Sequence, residues 1–445
     1  MSDIQKEIIE NLKHNLQFTN NVKKELMKKN IELQKENLKQ KKELYYLKKY
    51  DLKIFTDDIE NEARKQVYTI VEQEQFECCK IRIMPDVHAG TGCVIGFTAD
   101  LGDKVIPNIV GVDIGCGLYC ANLGKIDIDY EKLDKFINDN IPSGMNVNDN
   151  VIAEFDIKQL YCYDELKHYS WIEKSVGSLG GGNHFIEIDI DDEGNKYLVI
   201  HTGSRNLGSQ VAELYQDLAD KIINHGYIDY INKKQEVIKT YKELGKQKEI
   251  QSTLNELQKE FEKDKNIIPK DLAYLEGKER DKYLHDMKLC QEFAILNRKT
   301  IANTIAEYMG FSINDSFESV HNYISFEDNI VRKGAISAKK GEKLIIPINM
   351  KDGCILGYGK GNKDWNNSAP HGAGRIMSRK QAKERISMED YKKSMQGIYS
   401  TSVSEGTIDE APFVYKPMQE IIDNIQDTVE VQKIIKPIYN FKANI

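Results

Sequence analysis

The sequence predicts a mixed α/β fold of the α+β type, with one large core that carries its polar chemistry on loops. Short runs rich in β-branched and aromatic residues, at 80–83, 118–121, 197–200 and 344–347, mostly lie close to glycine-rich turns. Two other stretches are long, rich in Lys, Glu and Gln, and punctuated by apolar residues at helical spacing. A chain of 445 residues with 40% hydrophobic content can bury a sizeable core around such strands.

The first helical stretch, residues 1–52, is predicted to be an amphipathic extension outside the core. Its apolar residues have mostly helical spacing, although they drift from a strict heptad repeat. This stripe consists of Ile4, Ile8, Leu12, Leu16, Val22, Leu26, Leu33, Leu38, Leu44 and Leu47. His14 stands there among polar neighbours, which is the setting of a solvated helix face. We therefore expect this segment to serve packing, self-association or a protein partner rather than chemistry.

Residues 53–445 are predicted to form the core, and a second helical stretch at about 230–268 is predicted to be a hairpin inserted into it. Apolar residues again recur at helical spacing against a charged background. They are Val237, Tyr241, Leu244, Ile250, Leu254, Leu257 and Phe261.

Composition limits where the protein works and what it binds. The net charge of −8 argues against broad coating of nucleic acid, so any such contact must be local. The eight cysteines show neither a disulfide framework nor a C-x-x-C pair, which favours free thiols in a reducing compartment. We recognise neither a secretory leader nor a membrane-spanning stretch, and we expect a soluble, cytoplasmic protein without membrane contact.

Metal-capable and nucleophilic side chains cluster on turns that contain glycine or asparagine. They are His184, His201, His321 and His371, together with the motif Asp113-Ile114-Gly115-Cys116-Gly117. Glycine lets backbone and ligand approach closely, so the arrangement is typical of a binding site. Taken alone, each feature has a plainer explanation: Asp113 near Cys116 is usually a turn beside a buried thiol, and His371 a hydrogen-bonded loop residue.

Taken together, these motifs resemble those of the RtcB-type RNA ligases, from about Ile54 to the C-terminus. That family joins an RNA 3′-phosphate to a 5′-hydroxyl with GTP and manganese. The resemblance implies an RtcB-like core and a site for two manganese ions. Cys116 would bridge the ions, with Asp113 and His184 completing one, and His201 and His321 the other.

The resemblance also implies that His371 attacks the α-phosphate of GTP and carries GMP. A neutral imidazole is nucleophilic, and Gly372 and Gly374 leave room for the adduct. The positions that match the family's nucleotide contacts are Asn183, Phe185, Glu187, Asn322, Asn349, Ala373, Gly374, Tyr415 and Lys442. At Asn349 the chain departs from the family, which commonly has serine there.

The implied substrate is RNA with a 3′-phosphate or 2′,3′-cyclic phosphate and a 5′-hydroxyl end, in tRNA splicing or RNA repair. Arg205 offers a planar fork for a phosphate, and residues 375–393 carry a local surplus of basic side chains. From that surplus we expect Arg375 and Arg379, which are nearer to His371, to meet RNA phosphate. Arg205 is expected to do the same.

Three alternatives stay open. A Cys/His ligand set prefers zinc or ferrous iron, so manganese rests on the resemblance alone. The same ligands could activate water in a dimetal phosphoesterase that acts on RNA ends, with His371 as acid or base. A non-catalytic scaffold, whose helical segments bind partners, is the last alternative, and the intact ligand set argues against it.

Overall fold

The computed structural model describes residues 24, 27–30, 38, 41–262 and 268–443, and the chain divides into two units, residues 1–52 and 53–445. In the first unit, residues 41–49 are helical. The part of the predicted stripe from Ile4 to Leu33 lies outside the described residues, as does His14. Leu38, Leu44 and Leu47 are described and exposed. The role of this segment stays a prediction.

The strands are the framework of the second unit. In chain order they are β1 (Leu52–Ile54), β2 (Ile81–His88), β3 (Ile95–Asp100), β4 (Lys104–Val105), β5 (Gly117–Gly124), β6 (Phe185–Ile190), β7 (Lys196–Thr202), β8 (Leu275–Glu276), β9 (Asp315–Val320), β10 (Asn322–Ser325), β11 (Ile330–Lys333), β12 (Ala335–Ser337), β13 (Lys343–Asn349), β14 (Gly353–Gly359), β15 (Ser368–Pro370) and β16 (Val429–Lys442). The four strand-like runs named from the sequence fall in β2, β5, β7 and β13.

Among the described residues the largest sheet has seven strands, in the order β13-β14-β16-β6-β7-β5-β9. Every neighbouring pair in it is antiparallel. A five-stranded sheet has the order β1-β2-β3-β11-β10, and two further strand pairs join β12 to β15 and β4 to β8. The predicted α+β class is confirmed.

Helices cover the sheets and link their strands. They are α1 (Asn61–Val71), α2 (Pro107–Val110), α3 (Tyr130–Asn140), α4 (Tyr169–Lys174), α5 (Arg205–Ile223), α6 (His225–Glu243), α7 (Ile250–Glu262), α8 (Gly277–Met309), α9 (Arg379–Arg385), α10 (Met388–Ser394) and α11 (Met418–Asn424). No helix of the described residues has the length and apolar character that a membrane span requires.

Helices α6 and α7 contact each other in the stretch where a hairpin was predicted. Helix α6 begins at His225 rather than at about residue 230. Residues 263–267, the end of the predicted hairpin, lie outside the described residues. That this hairpin is an insertion into the core stays a prediction.

Strand alternation decides which side chains of β6 face each side of the sheet. Ile186 and Ile188 enter an apolar core beneath the sheet. That core also contains Leu198, Ile200, Leu133, Ile137, Ile301 and Ile305. Because successive strand residues alternate in direction, Phe185, Glu187 and Asp189 point to the opposite face.

Helix α8 fixes the loops at one end of the sheet through two buried polar side chains. Oδ1 of Asn297 accepts hydrogen bonds from the backbone N–H groups of Gly177 and Ser178, at 2.7 and 3.1 Å. Nη1 of Arg298 donates to the carbonyl oxygens of Gly115 and Thr202, at 2.8 and 2.9 Å. These contacts hold glycine-rich loops whose backbone groups would otherwise be buried without partners.

Candidate active site

The predicted metal ligands lie at the ends of neighbouring strands of the seven-stranded sheet. Cys116 directly precedes β5, His184 directly precedes β6, and His321 lies between β9 and β10. His201, near the end of β7, pairs with Phe185 of β6. Because β9, β5, β7 and β6 are consecutive in the sheet, their antiparallel pairing brings the four side chains to the same end of the sheet.

The loop that carries Asp113 and Cys116 depends on Gly115. Its φ is +71°, and a Cβ there would lie 2.9 Å from the Cα of Gln291, so no other residue fits without displacing helix α8. The Gly115 N–H donates to the carbonyl oxygen of Asn322 at 2.7 Å. The loop is therefore held by both a helix and a strand.

The five predicted ligand side chains converge. Sγ of Cys116 lies 3.3 Å from Nε2 of His201 and 3.5 Å from Nε2 of His184. The Nε2 atoms of His201 and His321 are 3.0 Å apart, and Nε2 of His184 lies 3.1 Å from Oδ2 of Asp113. The result is two triads that share the cysteine, Asp113–Cys116–His184 and Cys116–His201–His321.

The outer ring nitrogens of two of these histidines face backbone carbonyls. Nδ1 of His184 lies 2.9 Å from the oxygen of Leu179, and Nδ1 of His201 lies 3.2 Å from that of Asn183. A carbonyl oxygen can only accept, so each Nδ1 carries the hydrogen. In a neutral ring, Nε2 then presents a lone pair, and both lone pairs point into the cluster.

Burial shifts the pKa values of the groups in this cluster. It lowers the pKa of His201 and of His321 well below the usual value, and the neighbouring histidines add to the effect. Burial opposes ionisation of Asp113, but His184 and the other nearby groups outweigh it and lower the pKa of Asp113 to about 2. Burial and Asp113 together raise the pKa of the Cys116 thiol well above its usual value, so its thiolate requires a nearby cation.

This donor set fits a pair of divalent cations. Neutral imidazoles, a carboxylate and a shared cysteine are donor types that divalent cations accept, and each of the two triads would hold one ion. The softness of the sulfur and nitrogen donors by itself favours zinc or ferrous iron over manganese.

His371 lies beside the cluster, and a buried carboxylate holds its ring. Nδ1 of His371 is 2.7 Å from Oδ2 of Asp86, which also accepts the backbone N–H groups of His371 and Gly372 at 3.1 and 3.3 Å. The ring centroids of His371 and His321 are 4.6 Å apart. An Nδ1–H donated to a carboxylate leaves Nε2 with its lone pair, which a nucleophile requires.

A cavity of about 210 Å³ adjoins His371 and opens to solvent. Its lining includes His88, Asn183, Phe185, Glu187, His201, Asn349, His371, Ala373, Gly374, Arg375, Arg379, Glu410, Tyr415 and Lys442. The structure thus brings most of the predicted nucleotide contacts together around one space.

A buried ionic network forms part of the cavity wall around Glu410, which is 3% exposed. Its carboxylate accepts hydrogen bonds from Nζ of Lys442 at 2.9 Å, the Tyr415 hydroxyl at 2.6 Å and Nη1 of Arg375 at 3.1 Å. Burial opposes ionisation, but Lys442 and these donors prevail and lower the pKa of Glu410. The carboxylate therefore fixes three predicted contact residues in place.

Three predicted nucleotide contacts have further local partners. Oδ1 of Asn349 accepts the N–H groups of residues 351 and 352 at 2.9 Å each, so its side chain also closes the turn between β13 and β14. Glu187 is buried, and burial raises its pKa to about 7 against the effects of Asn440 and Lys442. Asn322 does not line the cavity. Its side chain donates to the carbonyl of Asp113 at 3.3 Å and so supports the loop that carries Asp113 and Cys116.

The predicted RNA-binding arginines differ in how free they are. Arg375 donates to the carbonyls of residues 377 and 409 as well as to Glu410. Arg205 donates to Oγ of Ser178 at 3.1 Å and to the carbonyl of Gly144 at 2.8 Å. The Arg379 side chain is 60% exposed, with Nε 3.7 Å from Asp409. Of the three, Arg379 is the most available to a ligand.

Asp86 and Glu410 have roles in the site that the sequence analysis did not identify. The signal for Asp86 is a carboxylate inside the apolar run at 81–87, which becomes the fully buried strand segment of β2. A charged residue in such a run needs a partner. Glu410 has no comparable signal, because it ends a short 3₁₀ helix, Glu405–Glu410, that carries two other acidic residues.

A mixed α/β core, a shared-cysteine cluster and a histidine held by a carboxylate together define a metal-dependent class of site. A family model described as "tRNA-splicing ligase RtcB" matches residues 66–443. The chain is 30% identical to the RNA-splicing ligase RtcB of Escherichia coli K12 over 431 residues, which cover 86% of this chain and 95% of that protein. It is 25% identical to the tRNA-splicing ligase RtcB of Archaeoglobus fulgidus over an alignment of 456 positions. That alignment covers 82% of this chain and 87% of the archaeal protein. The chain belongs to the RtcB family.

Proposed function

We propose that this protein is a cytoplasmic RNA ligase that guanylates His371 with GTP and uses the adduct to join RNA ends. We propose RNA ligation because relatives of this chain are named RNA-splicing and tRNA-splicing ligases. The observation that carries the rest is the pair formed by Asp86 and Nδ1 of His371, 2.7 Å apart, beside the shared-cysteine cluster. With Nδ1–H directed at Asp86, the lone pair of a neutral ring is on Nε2, and His371 lines the open cavity.

Two manganese ions would complete the site. Asp113, Cys116 and His184 would hold one, and Cys116, His201 and His321 the other. When bound, the ions supply Lewis-acid stabilisation of phosphate charge and orient the triphosphate.

In the first step, Nε2 of His371 attacks the α-phosphorus of GTP. A P–N bond forms, the P–O bond to the β-phosphate breaks, and pyrophosphate leaves. The ring becomes positively charged as the P–N bond forms, and its Nδ1–H stays hydrogen-bonded to Asp86, which stabilises that charge.

The cavity residues hold the nucleotide during this step. Phe185, Ala373 and Gly374 supply a small, mainly apolar surface next to His371, while Asn183, Glu187, Asn349, Tyr415 and Lys442 supply polar groups. Asn322 does not line the cavity and instead supports the loop that carries Asp113 and Cys116 through its hydrogen bond to the Asp113 carbonyl. Because Glu410 fixes Lys442 and Tyr415, these donors need little reordering when the nucleotide enters.

In the second step, an oxygen of the RNA 3′-phosphate attacks the phosphorus of the adduct, and the P–N bond breaks. The 5′-hydroxyl of the other RNA end then attacks the activated 3′-phosphorus, and GMP leaves. A 2′,3′-cyclic phosphate is first hydrolysed to the 3′-phosphate. Arg379 and Arg205 are the proposed phosphate contacts, with Arg375 fixing the wall beside them. Spliced tRNA halves and damaged RNA are the proposed substrates.

Incubation with GTP labelled at the α-phosphate, in the presence of manganese, tests the proposal. We expect an acid-labile protein–GMP adduct that is lost in His371→Ala, because the proposed nucleophile is then absent. Manganese content should be unchanged, since His371 is in neither triad. His285→Ala, which removes a half-exposed histidine outside the site, is the matched control and should form the adduct.

An adduct in His371→Ala would show that the nucleophile is misassigned. Release of phosphate from RNA ends without any adduct in the wild-type protein would instead show a dimetal phosphoesterase.

A further inference from the structure

A second cluster of ligand-type side chains lies on the same face of β6 as Phe185 and outside the two triads. It consists of Glu187 and Asp189 from β6 and Cys354 from β14, whose ligand atoms all lie within 4.8 Å of one another. Their exposed fractions are 3%, 0% and 0%. Asp189 and Cys354 play no part in the ligation steps above.

The cluster holds buried oxygen atoms that accept no hydrogen bond from an N–H or O–H group. Both carboxylate oxygens of Asp189 are in this state, and so is Oδ1 of Asn440. Asn440 lies beside this cluster. It pairs with Glu187 between strands β16 and β6, and its Nδ2 donates a hydrogen bond to Oε1 of Glu187 at 2.5 Å. Native proteins rarely leave a buried carboxylate unsatisfied, since its desolvation is then uncompensated.

Another buried carboxylate in the same chain shows the contrast. Asp286 is also 0% exposed and lies beside a buried thiol, Cys162. Its oxygens accept hydrogen bonds from the N–H groups of Tyr161 and Cys162 and from the Tyr215 hydroxyl, at 2.9, 3.0 and 2.7 Å. Asp189 has the same burial, but its one nearby donor is the weak S–H group of Cys354, which singles it out.

The neighbours of Asp189 cannot neutralise it. Phe185, Val199, Ile345, Leu356 and Ile435 form an apolar core with Cys354. Burial raises the pKa of Asp189 and of Cys354 well above their usual values, and the acidic neighbours raise them further. Lys442, the cation closest in sequence to Asn440, is committed to Glu410. The cluster is thus rich in acceptors and lacks a positive charge.

We propose that Glu187, Asp189 and Cys354 bind a third divalent cation, of the zinc or ferrous-iron class. A thiolate with carboxylates selects these ions over magnesium or calcium. Donor atoms around a tetrahedral zinc ion are about 3.3–3.8 Å apart, so closing the cluster requires shifts on the order of 1 Å. Protons displaced from the thiol and the carboxyl groups would leave through the cavity, which Glu187 lines.

The bound ion would tie β6 to β14. Strand β6 begins at the cavity residue Phe185. Strand β14 follows the turn after Asn349, the last residue of β13. The site would therefore fix two walls of the cavity, and it would hold in place Glu187, which it shares with the proposed nucleotide contacts. This inference does not depend on the ligase reaction.

Cobalt(II) loading of the full-length protein tests the site, because a cobalt–thiolate bond produces a near-ultraviolet charge-transfer band. Cys116 would give the same band, so the measurement uses the Cys116→Ser protein after removal of metals by chelation. We expect the band to be present there, and to disappear when either Cys354→Ser or Asp189→Asn is added. Zinc content should fall by one ion per chain in both double variants.

Cys162→Ser in the same background is the matched control, since it removes a buried thiol beside a buried carboxylate whose oxygens have donors. It should keep the band. Circular dichroism identifies which variants are folded, and Cys354→Ser and Asp189→Asn serve as independent tests if one of them unfolds. A folded Cys116→Ser protein without the band, or a band that survives Cys354→Ser, would overturn the proposal. Persistence of a protonated carboxyl signal in the infrared spectrum after zinc is added would do the same, because the cluster would then hold a proton instead.

Discussion

At the scale of single residues, the chemistry of the site depends on which nitrogen of each histidine carries the hydrogen. Backbone carbonyls fix Nδ1–H in His184 and His201, whereas a carboxylate does so in His371. The first two rings therefore offer Nε2 to the cluster, and the third offers it to the cavity. The carboxylate differs from a carbonyl because it also stabilises a positive ring.

Asp86→Asn tests this difference. The amide of asparagine can donate to Nδ1, which would place the hydrogen on Nε2 and remove the nucleophilic lone pair. We expect guanylation to slow by roughly 10²- to 10⁴-fold, by analogy with the aspartate of a serine-protease triad. The KM for GTP and the manganese content should change little, and single-turnover adduct formation measures the effect.

Asp286→Asn is the control, because it changes another fully buried carboxylate that lies outside the site. Both variants are compared only if circular dichroism shows them folded. Guanylation of Asp86→Asn at the wild-type rate would exclude Asp86 as a positioning residue.

Cys116 differs from the other ligands because it belongs to both triads. Cys116→Ser should therefore lose more manganese than His184→Ala or His321→Ala, each of which disrupts one triad. A neutral hydroxyl is a much weaker ligand than a thiolate, so the substitution does not rescue binding. Manganese per chain, measured after loading and gel filtration, decides the question, and near-full occupancy in Cys116→Ser would eliminate the bridge.

The predicted ligands that the structure brings together are residues with a local signature in the sequence. Nearby glycine or asparagine made the ligand motifs and His371 visible, and the family resemblance implied their roles. Asp86 and His371 are 285 positions apart, so their contact exists only after β2 and the loop that follows β15 have packed together. A single sequence carries no periodicity or motif that reports such a pairing.

At the scale of elements, the loop after β15 shows how backbone geometry places the nucleophile. Gly374 has φ +76°, and a Cβ there would lie 2.6 Å from the carbonyl oxygen of Asp86. The backbone of this loop thus fits against the residue that holds His371. A side chain at position 374 would push the two apart.

Gly374→Ala and Gly341→Ala separate that contact from simple backbone strain. Both glycines have φ +76°, but a Cβ at Gly341 would meet nothing within 4 Å. We expect Gly341→Ala to lower the free energy of unfolding by about 1 kcal/mol and to keep guanylation. Gly374→Ala should lower it by roughly 2–4 kcal/mol, since a core-type overlap adds to the strain, and it should slow guanylation.

Urea unfolding and adduct formation measure the two effects. Equal losses of stability in the two variants, together with normal guanylation by Gly374→Ala, would contradict the role assigned to the contact with Asp86.

The strands and helices were more predictable than their pairing. Short β-type runs, most of them close to glycine-rich turns, identified β2, β5, β7 and β13, and helical spacing identified the stretch of α6 and α7. The order of the seven-stranded sheet was not accessible, because β16 inserts between β14 and β6 from the far end of the chain. That insertion is what brings Lys442 and Asn440 to the cavity and to Glu187.

At the scale of the whole molecule, all candidate ligands, His371 and the cavity lie within residues 53–445. The family model likewise matches residues 66–443. The site is therefore built from the second unit, and the amphipathic extension contributes none of the predicted ligands. The described side chains at its end, Leu38, Leu44 and Leu47, expose their apolar surface.

Deleting residues 1–48 should accordingly preserve manganese-dependent guanylation of His371. Self-association, solubility or RNA turnover can still change, because an amphipathic helix must bury its apolar stripe against something. The rate of adduct formation and the manganese content of the truncated protein are compared with those of the full chain, and the truncated His371→Ala protein gives the background. A truncated protein that is folded by circular dichroism and keeps its manganese, yet forms no GMP adduct, would show that this segment is required for the guanylation step. The boundary of the catalytic unit would then have to be drawn before residue 48.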